Sequence, residues 1–355
     1  MATSAAAKLR TPAGGGKKAG KNGAFIPTLV VLALILAAVV FLSEFWTEVQ
    51  WFKQINALRV FWTQYGAALL VGLVGTLIAA LVFALNIRIT LGKKPQSEAG
   101  AEVVLKPRPQ DTYLKALRSH SWLTYGVIPL VLGLVIGGRL GFSWRTVLLW
   151  LHGSSFGTKD PEFGLDVSFF VFTLPALHLI LSFLITLLIA CVILGVIGYW
   201  LTASLPEKNT RVRLPKRIQM HLAVLSICFA FVIAAQFWLA RYDLLLGNNQ
   251  RFSGANFTAI NASKPGYTIL AISVFLIGIL LIVAAVKQLW KPALVGVAAT
   301  VTAALVLSVV YPLLVQNFKV NPNAVELESK YIQRNIDATL AAYGLENVES
   351  QQYAA

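Results

Sequence analysis

From position 167 to position 203 the chain runs for 37 residues without a charged side chain. As one helix that run would be about 55 Å long, against a hydrocarbon core of about 30 Å. It is too apolar for water and too long for one perpendicular span. Pro175 is the natural divider, because it lacks an N–H, crowds the carbonyl of Val171 and disfavours helix at the residue before it. The expectation is a break or sharp bend at Leu174–Pro175. Phe169, Phe170 and Phe172 would then lie at the membrane surface, and the span would occupy 176–199. Composition points the same way: 57% of residues are hydrophobic and 13% charged, where soluble domains carry about a quarter charged.

Further apolar runs at 25–42, 67–87, 123–138, 221–240, 267–286 and 293–311 bring the count to seven spans. The fold class is therefore an all-α membrane protein, a seven-span helical bundle. Residues 1–24, with five basic residues and no acid, read as a disordered tail. Residues 25–311 form the membrane domain, and 312–355 begin an extracytoplasmic region. With the N-terminus inside, the tail and the segments 88–122, 204–220 and 287–292 hold 19 Lys/Arg and four acids. The other side holds 11 of each. This positive-inside bias gives an N-in, C-out topology. The net charge of +15 then faces anionic lipid, and nucleic acid is excluded as a partner. Cys191 and Cys228 both sit in apolar runs, so no disulfide framework or CxxC metal site is available.

The outward segments are distinctive. Residues 43–66, with Trp46, Trp51 and Trp62 among polar residues, have the composition of an interfacial helix. Residues 139–166 read as a second surface helix followed by a turn-rich loop. Pro312 should end the last span. Asn321–Pro322 reads as an N-cap with proline at N1, Ile332, Ile336 and Leu340 share a helical face, and Gly344 is a C-cap.

FWTEVQWF with FWTQYG, then FGLDVSFFVFTLP, then RYDLLL with SGANFTAINA, and finally NFKVNPNAVELESKYIQRNIDATLAAYGL occur in this order. Over residues 40–348 the chain thereby resembles the uncharacterised protein family numbered 0182, large membrane proteins of actinobacteria and cyanobacteria. The resemblance implies a plasma-membrane location, seven spans and an extracytoplasmic C-terminal region. It carries no reaction, ligand or catalytic residue to these positions. The resemblance also implies a continuation of several hundred residues, as family members usually have, so this chain looks like a truncated or fragmentary member.

Seven residues stand out as functional candidates, each with a plainer reading. Glu44 and Glu48, one helical turn apart beyond the first span, suit a base or metal ligand in a lipid-linked glycosyltransferase; solvated carboxylates on a surface helix are the plainer reading. His178 and Gln236 lie within spans near their outward ends, where polar groups mark function or bond helices together. Arg139, Arg241 and Asp243 gather at the outer boundary, placed to hold loops against headgroups or one another. Gly153-Ser154-Ser155-Phe156-Gly157 matches G-x-S-x-G, but a nucleophile elbow needs a strand before it and a helix after, and neither is expected. Asp160, Glu162 and Asp166 match no EF-hand spacing. Gly133 and Gly137 form a GxxxG that lets helices approach. No Asp, Glu, Lys or Arg occupies the middle of a span, which argues against a proton- or ion-coupled transporter.

No catalytic, cofactor or metal site is assigned. The leading reading is a non-enzymatic membrane anchor or scaffold, whose partners are the lipid bilayer and an extracytoplasmic or envelope protein. A transport or lipid-handling protein is the second reading, and a lipid-linked glycosyltransferase the third.

Overall fold

The computed structural model describes residues 25–92, 109–202, 216–248, 252–287 and 290–346. The basic tail 1–24 and residues 93–108 and 204–215 of the basic loops expected at 88–122 and 204–220 lie outside the described residues. Among the described residues the only β features are two isolated bridges, Lys159 with Asp166 and Asn248 with Ser253. Seven helical stretches among the described residues are long and apolar enough to cross a membrane: Pro27–Gln54, Leu58–Leu91, Leu123–Leu151, Phe169–Leu201, Lys216–Leu246, Ala259–Lys287 and Trp290–Val320. At 28 to 34 residues each, they are about 42–51 Å long and outreach the hydrocarbon core. The chain is thus an all-α, seven-span membrane protein. It divides between Tyr65 and Gly66 into two compact units.

The first unit differs from the sequence expectation. Residues 43–54 do not form a separate surface helix but continue α1 (Phe25–Gln54) without interruption. Extending an existing helix is easier than nucleating a new one, and nothing after Pro27 breaks it. A turn follows, with Asn56 at φ +55°, and α2 (Leu58–Leu91) begins at once. Phe61 is fully buried, with Phe45, Phe52 and Tyr65 at ring-centroid distances of 5.4, 5.7 and 4.5 Å. Trp46, Trp51 and Trp62 are exposed.

In the second unit, the rest of α2 meets α4 (Ile128–Gly137) backbone to backbone. A Cβ on Gly137 would lie 2.1 Å from the Gly75 carbonyl carbon, and one on Gly133 would lie 2.7 Å from the Thr76 oxygen. The GxxxG thus does what such motifs do. Ala79 and Phe83 of α2 form a core with Leu187 and Cys191 of α6 (Leu174–Leu201) and Leu225 of α7 (Lys216–Asp243). Ala230 and Ala234 of α7 pack on Val274 of α8 (Lys264–Lys287).

The expected break at Pro175 is absent. The helix winds continuously through it, and the proline is accommodated by a π turn, Phe169–Thr173, in which the Leu174 N–H reaches back to the Phe169 oxygen. This wide turn relieves the crowding that proline imposes on the preceding turn. The same device recurs. π turns at Leu123–Val127, Ala259–Ser263 and Val306–Val310 stand two residues ahead of Pro129, Pro265 and Pro312.

Pro312 accordingly does not end the last span. The helix passes through α10 (Tyr311–Leu314) and a further π turn to Val320. Asn321–Pro322 therefore falls in a turn, and Asn323 is the N-cap of α11 (Ala324–Tyr343). Gly344 adopts the left-handed conformation, φ +65°, as the C-cap pattern requires. The remaining helices are α3 (Pro109–Ser119), α5 (Trp144–Leu151) and α9 (Trp290–Leu305).

Candidate functional site

The loop at 152–166 and the segments 244–248 and 252–263, together with α11, gather at one end of the second unit, here called the loop face. Asp160 and Asp166 shape the first loop. Asp160 Oδ2 accepts the N–H groups of Glu162 and Phe163 at 2.9 and 2.6 Å. Asp166 accepts the Ser155 hydroxyl at 2.5 Å and the N–H groups of Phe156, Gly157 and Ser168 at 3.1, 3.0 and 2.8 Å. Those donors, the Ser155 hydroxyl first and then Ser168 and the Phe156 amide, hold the Asp166 carboxyl below the usual carboxylate range. Ser155 is therefore a donor to a structural carboxylate, and α5 rather than a strand precedes its G-x-S-x-G.

The loop so fixed presents Glu162, whose side chain is 15% exposed. Its Oε1 lies 2.8 Å from Lys264 Nζ and its Oε2 3.3 Å from Arg334 Nη1. Lys264 also stands 4.4 Å over the Phe163 ring. α11 has three further ties to this face. The buried Glu328 accepts the Phe257 N–H at 3.2 Å, Asn335 Nδ2 donates to the Ser253 oxygen at 2.7 Å, and Asn261 Nδ2 donates to the Tyr331 hydroxyl at 3.1 Å. Glu328, Tyr331, Arg334 and Asn335 fall at three- and four-residue spacing, one face of a helix. The docked face of α11 is thus polar, while Ile336, Leu340 and Tyr343 are exposed. A cavity of about 530 Å³ opens beside this junction, with Glu162, Asn261, Lys264 and Thr268 among its walls.

Three sequence candidates meet nearby. His178 Nε2 is 2.8 Å from Asp243 Oδ1, and Gln236 Nε2 is 3.5 Å from His178 Nδ1. Gln236 and Asp243 stand seven residues apart on α7, two turns along one face, so both reach α6. The Asp243 carboxylate can accept an N–H from His178 Nε2, while Gln236 stands at the other ring nitrogen. Arg241 is buried at 9% exposure. Its Nε donates to the Trp238 oxygen at 3.0 Å, Nη1 lies 3.5 Å from Thr268 Oγ1, and its guanidinium carbon lies 3.4 Å from the Trp238 ring centroid. Among the described residues no carboxylate pairs with it.

The other candidates stand apart. Arg139 is exposed on the 3₁₀ stretch Gly138–Ser143 and does not join Arg241 and Asp243. In the first unit Glu48 accepts the Tyr65 hydroxyl at 2.5 Å, whereas Glu44 is exposed. The two glutamates share a helix without sharing a partner.

Sequence reasoning missed the Glu162 junction, which joins residues up to 172 positions apart and has no local signature. It also missed a buried pair at the opposite end of the second unit, Tyr199 OH to His221 Nδ1 at 2.6 Å. Asn86 Nδ2 donates to the Cys191 oxygen at 3.1 Å nearby in the bundle. A signal for the first pair existed, since Tyr199 closes one apolar run and His221 opens the next, and antiparallel neighbours bring such ends level.

A multi-pass α-helical membrane protein, with its polar contacts collected at the two ends of the spans, is the class that this architecture defines. The chain belongs to the uncharacterised protein family UPF0182, whose family model matches residues 25–355. Similar proteins, each named "UPF0182 protein", occur in Arthrobacter sp. (strain FB24), at 33% identity over 96% of this chain and 34% of the relative, and in Kocuria rhizophila, at 32% over 94% and 34%. One from Bifidobacterium adolescentis is 32% identical over 99% of this chain and 34% of the relative. The chain thus spans about a third of the length of the curated relatives it matches. No solved structure matches.

Proposed function

We propose that this chain is a plasma-membrane scaffold that holds α11 in a fixed position on its extracytoplasmic face as a platform for an envelope partner or a further domain. One observation carries the reading: α11 is fastened to the loop face by its polar side, through Glu162–Arg334, Glu328–Phe257, Asn261–Tyr331 and Asn335–Ser253. An amphipathic helix serving only its own fold would bury its apolar stripe. Here Ile336 and Leu340 remain exposed, which suits a helix that offers that stripe to something else. The orientation rests on the distribution of basic residues.

Hydrogen exchange on the full chain in nanodiscs tests the fastening. Amides of 324–343 should exchange slowly in the wild type and at least tenfold faster in Arg334→Ala, which removes a charge-assisted contact to a half-buried carboxylate. Exchange in the wild type as fast as in an isolated helix would refute the platform. Lipid handling is the second reading, favoured by the cavity beside Lys264.

A further inference from the structure

The lining of the cavity beside the Glu162 junction carries no net charge. Lys264 is its cation and Glu162 its carboxylate, and the two pair at 2.8 Å. What that lining offers is hydrogen-bonding capacity of both kinds. Glu162 takes one of the three Lys264 donors and the ammonium rests 4.4 Å over the Phe163 ring, which leaves a donor for a ligand. Each Glu162 oxygen meets one cation, Lys264 or Arg334, and keeps a second lone pair. Asn261 uses its amide hydrogens on the Phe257 oxygen and the Tyr331 hydroxyl, while its Oδ1 accepts from no group among the described residues. The Thr268 hydroxyl donates to the Lys264 oxygen at 2.9 Å and receives Arg241 Nη1 at 3.5 Å, so one lone pair remains. A donor and several acceptors without net charge match hydroxyl groups, each of which both donates and accepts.

The rest of the lining, Ile260, Pro265 and Ile269, is apolar. Pro265 and Ile269 stand one turn apart and exposed on α8. Ile272 and Leu276, at further steps of three and four residues, are exposed as well. The apolar face therefore runs on from the polar end into the membrane-spanning stretch Ala259–Lys287. The volume of about 530 Å³ falls within the range of ligand pockets, roughly 300–1,000 Å³. We propose that this cavity binds the uncharged, polyhydroxyl headgroup of a glycosyl diacylglycerol. Lys264 donates to a sugar hydroxyl, Glu162, Asn261 and Thr268 accept from others, and an acyl chain lies along Pro265, Ile269 and Ile272. The inference rests on the lipid-handling reading and names the lipid class. An anionic headgroup finds no unpaired cation in the lining, and the ammonium of a zwitterionic one would have to displace Lys264 or Arg334 from Glu162. A free sugar has no use for the apolar face.

Native mass spectrometry of the full chain in a polyoxyethylene detergent, which carries no sugar, tests this. The titrants are monoglucosyl diacylglycerol, diacylglycerol and phosphatidylglycerol with the same acyl chains, and glucose. The glycolipid should be retained about tenfold more tightly than either other lipid, as expected for two net hydrogen bonds. Thr268→Val should lower that preference about fivefold, the share of one hydrogen bond, and leave diacylglycerol binding unchanged. Thr268→Ser should restore it, and Ile269→Asn should weaken both lipids alike. A protein that merely loses its fold would lose both lipids in Thr268→Val as well. Phosphatidylglycerol retained as well as the glycolipid, displacement of the glycolipid by an equal concentration of glucose, or an unchanged preference in Thr268→Val would each overturn the proposal. Diacylglycerol bound as tightly as the glycolipid would overturn the headgroup assignment and leave lipid handling standing, whereas retention of none of the three lipids would end both.

Discussion

Gly137→Ala tests the packing of the second unit most directly. The added Cβ would lie 2.1 Å from the Gly75 carbonyl carbon, 2.2 Å from its oxygen and 2.3 Å from the Thr76 nitrogen. Carbon atoms rest at about 3.5 Å or more, so α2 and α4 must part by about 1.4 Å. The obstacle is backbone, which cannot swing aside as a side chain would. The neighbouring contacts suffer as well, since a Cβ at 133 or 141 would lie 2.7 Å from the Thr76 or Ala68 oxygen. A gap of 0.5–1 Å already forfeits a quarter to a half of each dispersion contact. The cost should be about 3 kcal/mol, at the upper end of the overpacking range. That is a fall of roughly 4 °C in the melting temperature of the full chain in detergent, followed by circular dichroism. Gly138→Ala is the internal control. Its Cβ would meet nothing nearer than Leu134 Cδ1 at 3.7 Å, and alanine relieves backbone entropy worth about 0.5–1 kcal/mol. That variant should melt unchanged or slightly higher. Equal melting of the two variants would refute the argument from close approach.

Two further outcomes follow from the loop face. Asp166→Asn should release the 155–168 loop, seen as lost exchange protection at the Phe156, Gly157 and Ser168 amides. Because the folded-state pKa of Asp166 is lowered, its contribution is complete above the unfolded value of about 3.9 and disappears as pH falls toward the folded value. Wild-type protection should therefore hold from pH 7 down to about 4 and fade only below it. At the end of α11, Gly344 and Leu345 donate back to Ala341 and Leu340 at 3.2 and 2.8 Å. Gly344→Ala forces an L residue into the left-handed region at about 1 kcal/mol, so amides of the last turn should exchange about fivefold faster.

The span count was legible because lipid as solvent leaves a plain mark, a run of about twenty apolar residues. Gly133 and Gly137 were legible for the same local reason, and so was the Gly344 cap. The helix ends were not. Residues 43–54 look interfacial by composition, yet an unbroken helix simply carries them outward from α1. Prolines 175 and 312 look like breaks, because sequence rules price the lost N–H but cannot see that a wider turn absorbs the ring. At the site, His178, Gln236 and Asp243 were each singled out and do meet. Glu162 was weighed only as part of a possible cation site. Its partners Lys264 and Arg334 lie 102 and 172 residues away, and no periodicity links them.

The π turns ahead of four prolines also set the phase of the helices that contain them. Each one adds a residue to a turn, and one residue is about 100° of rotation and 1.5 Å of rise. A stripe followed at regular spacing up to Thr173 or Ser263 therefore emerges on a different side beyond Pro175 or Pro265. Helical-wheel analysis of these spans must restart at each such turn. A relative that lost both the proline and one residue of the wide turn would keep the same side chains facing the same neighbours, so single-residue gaps inside these spans mark conserved geometry, not its loss.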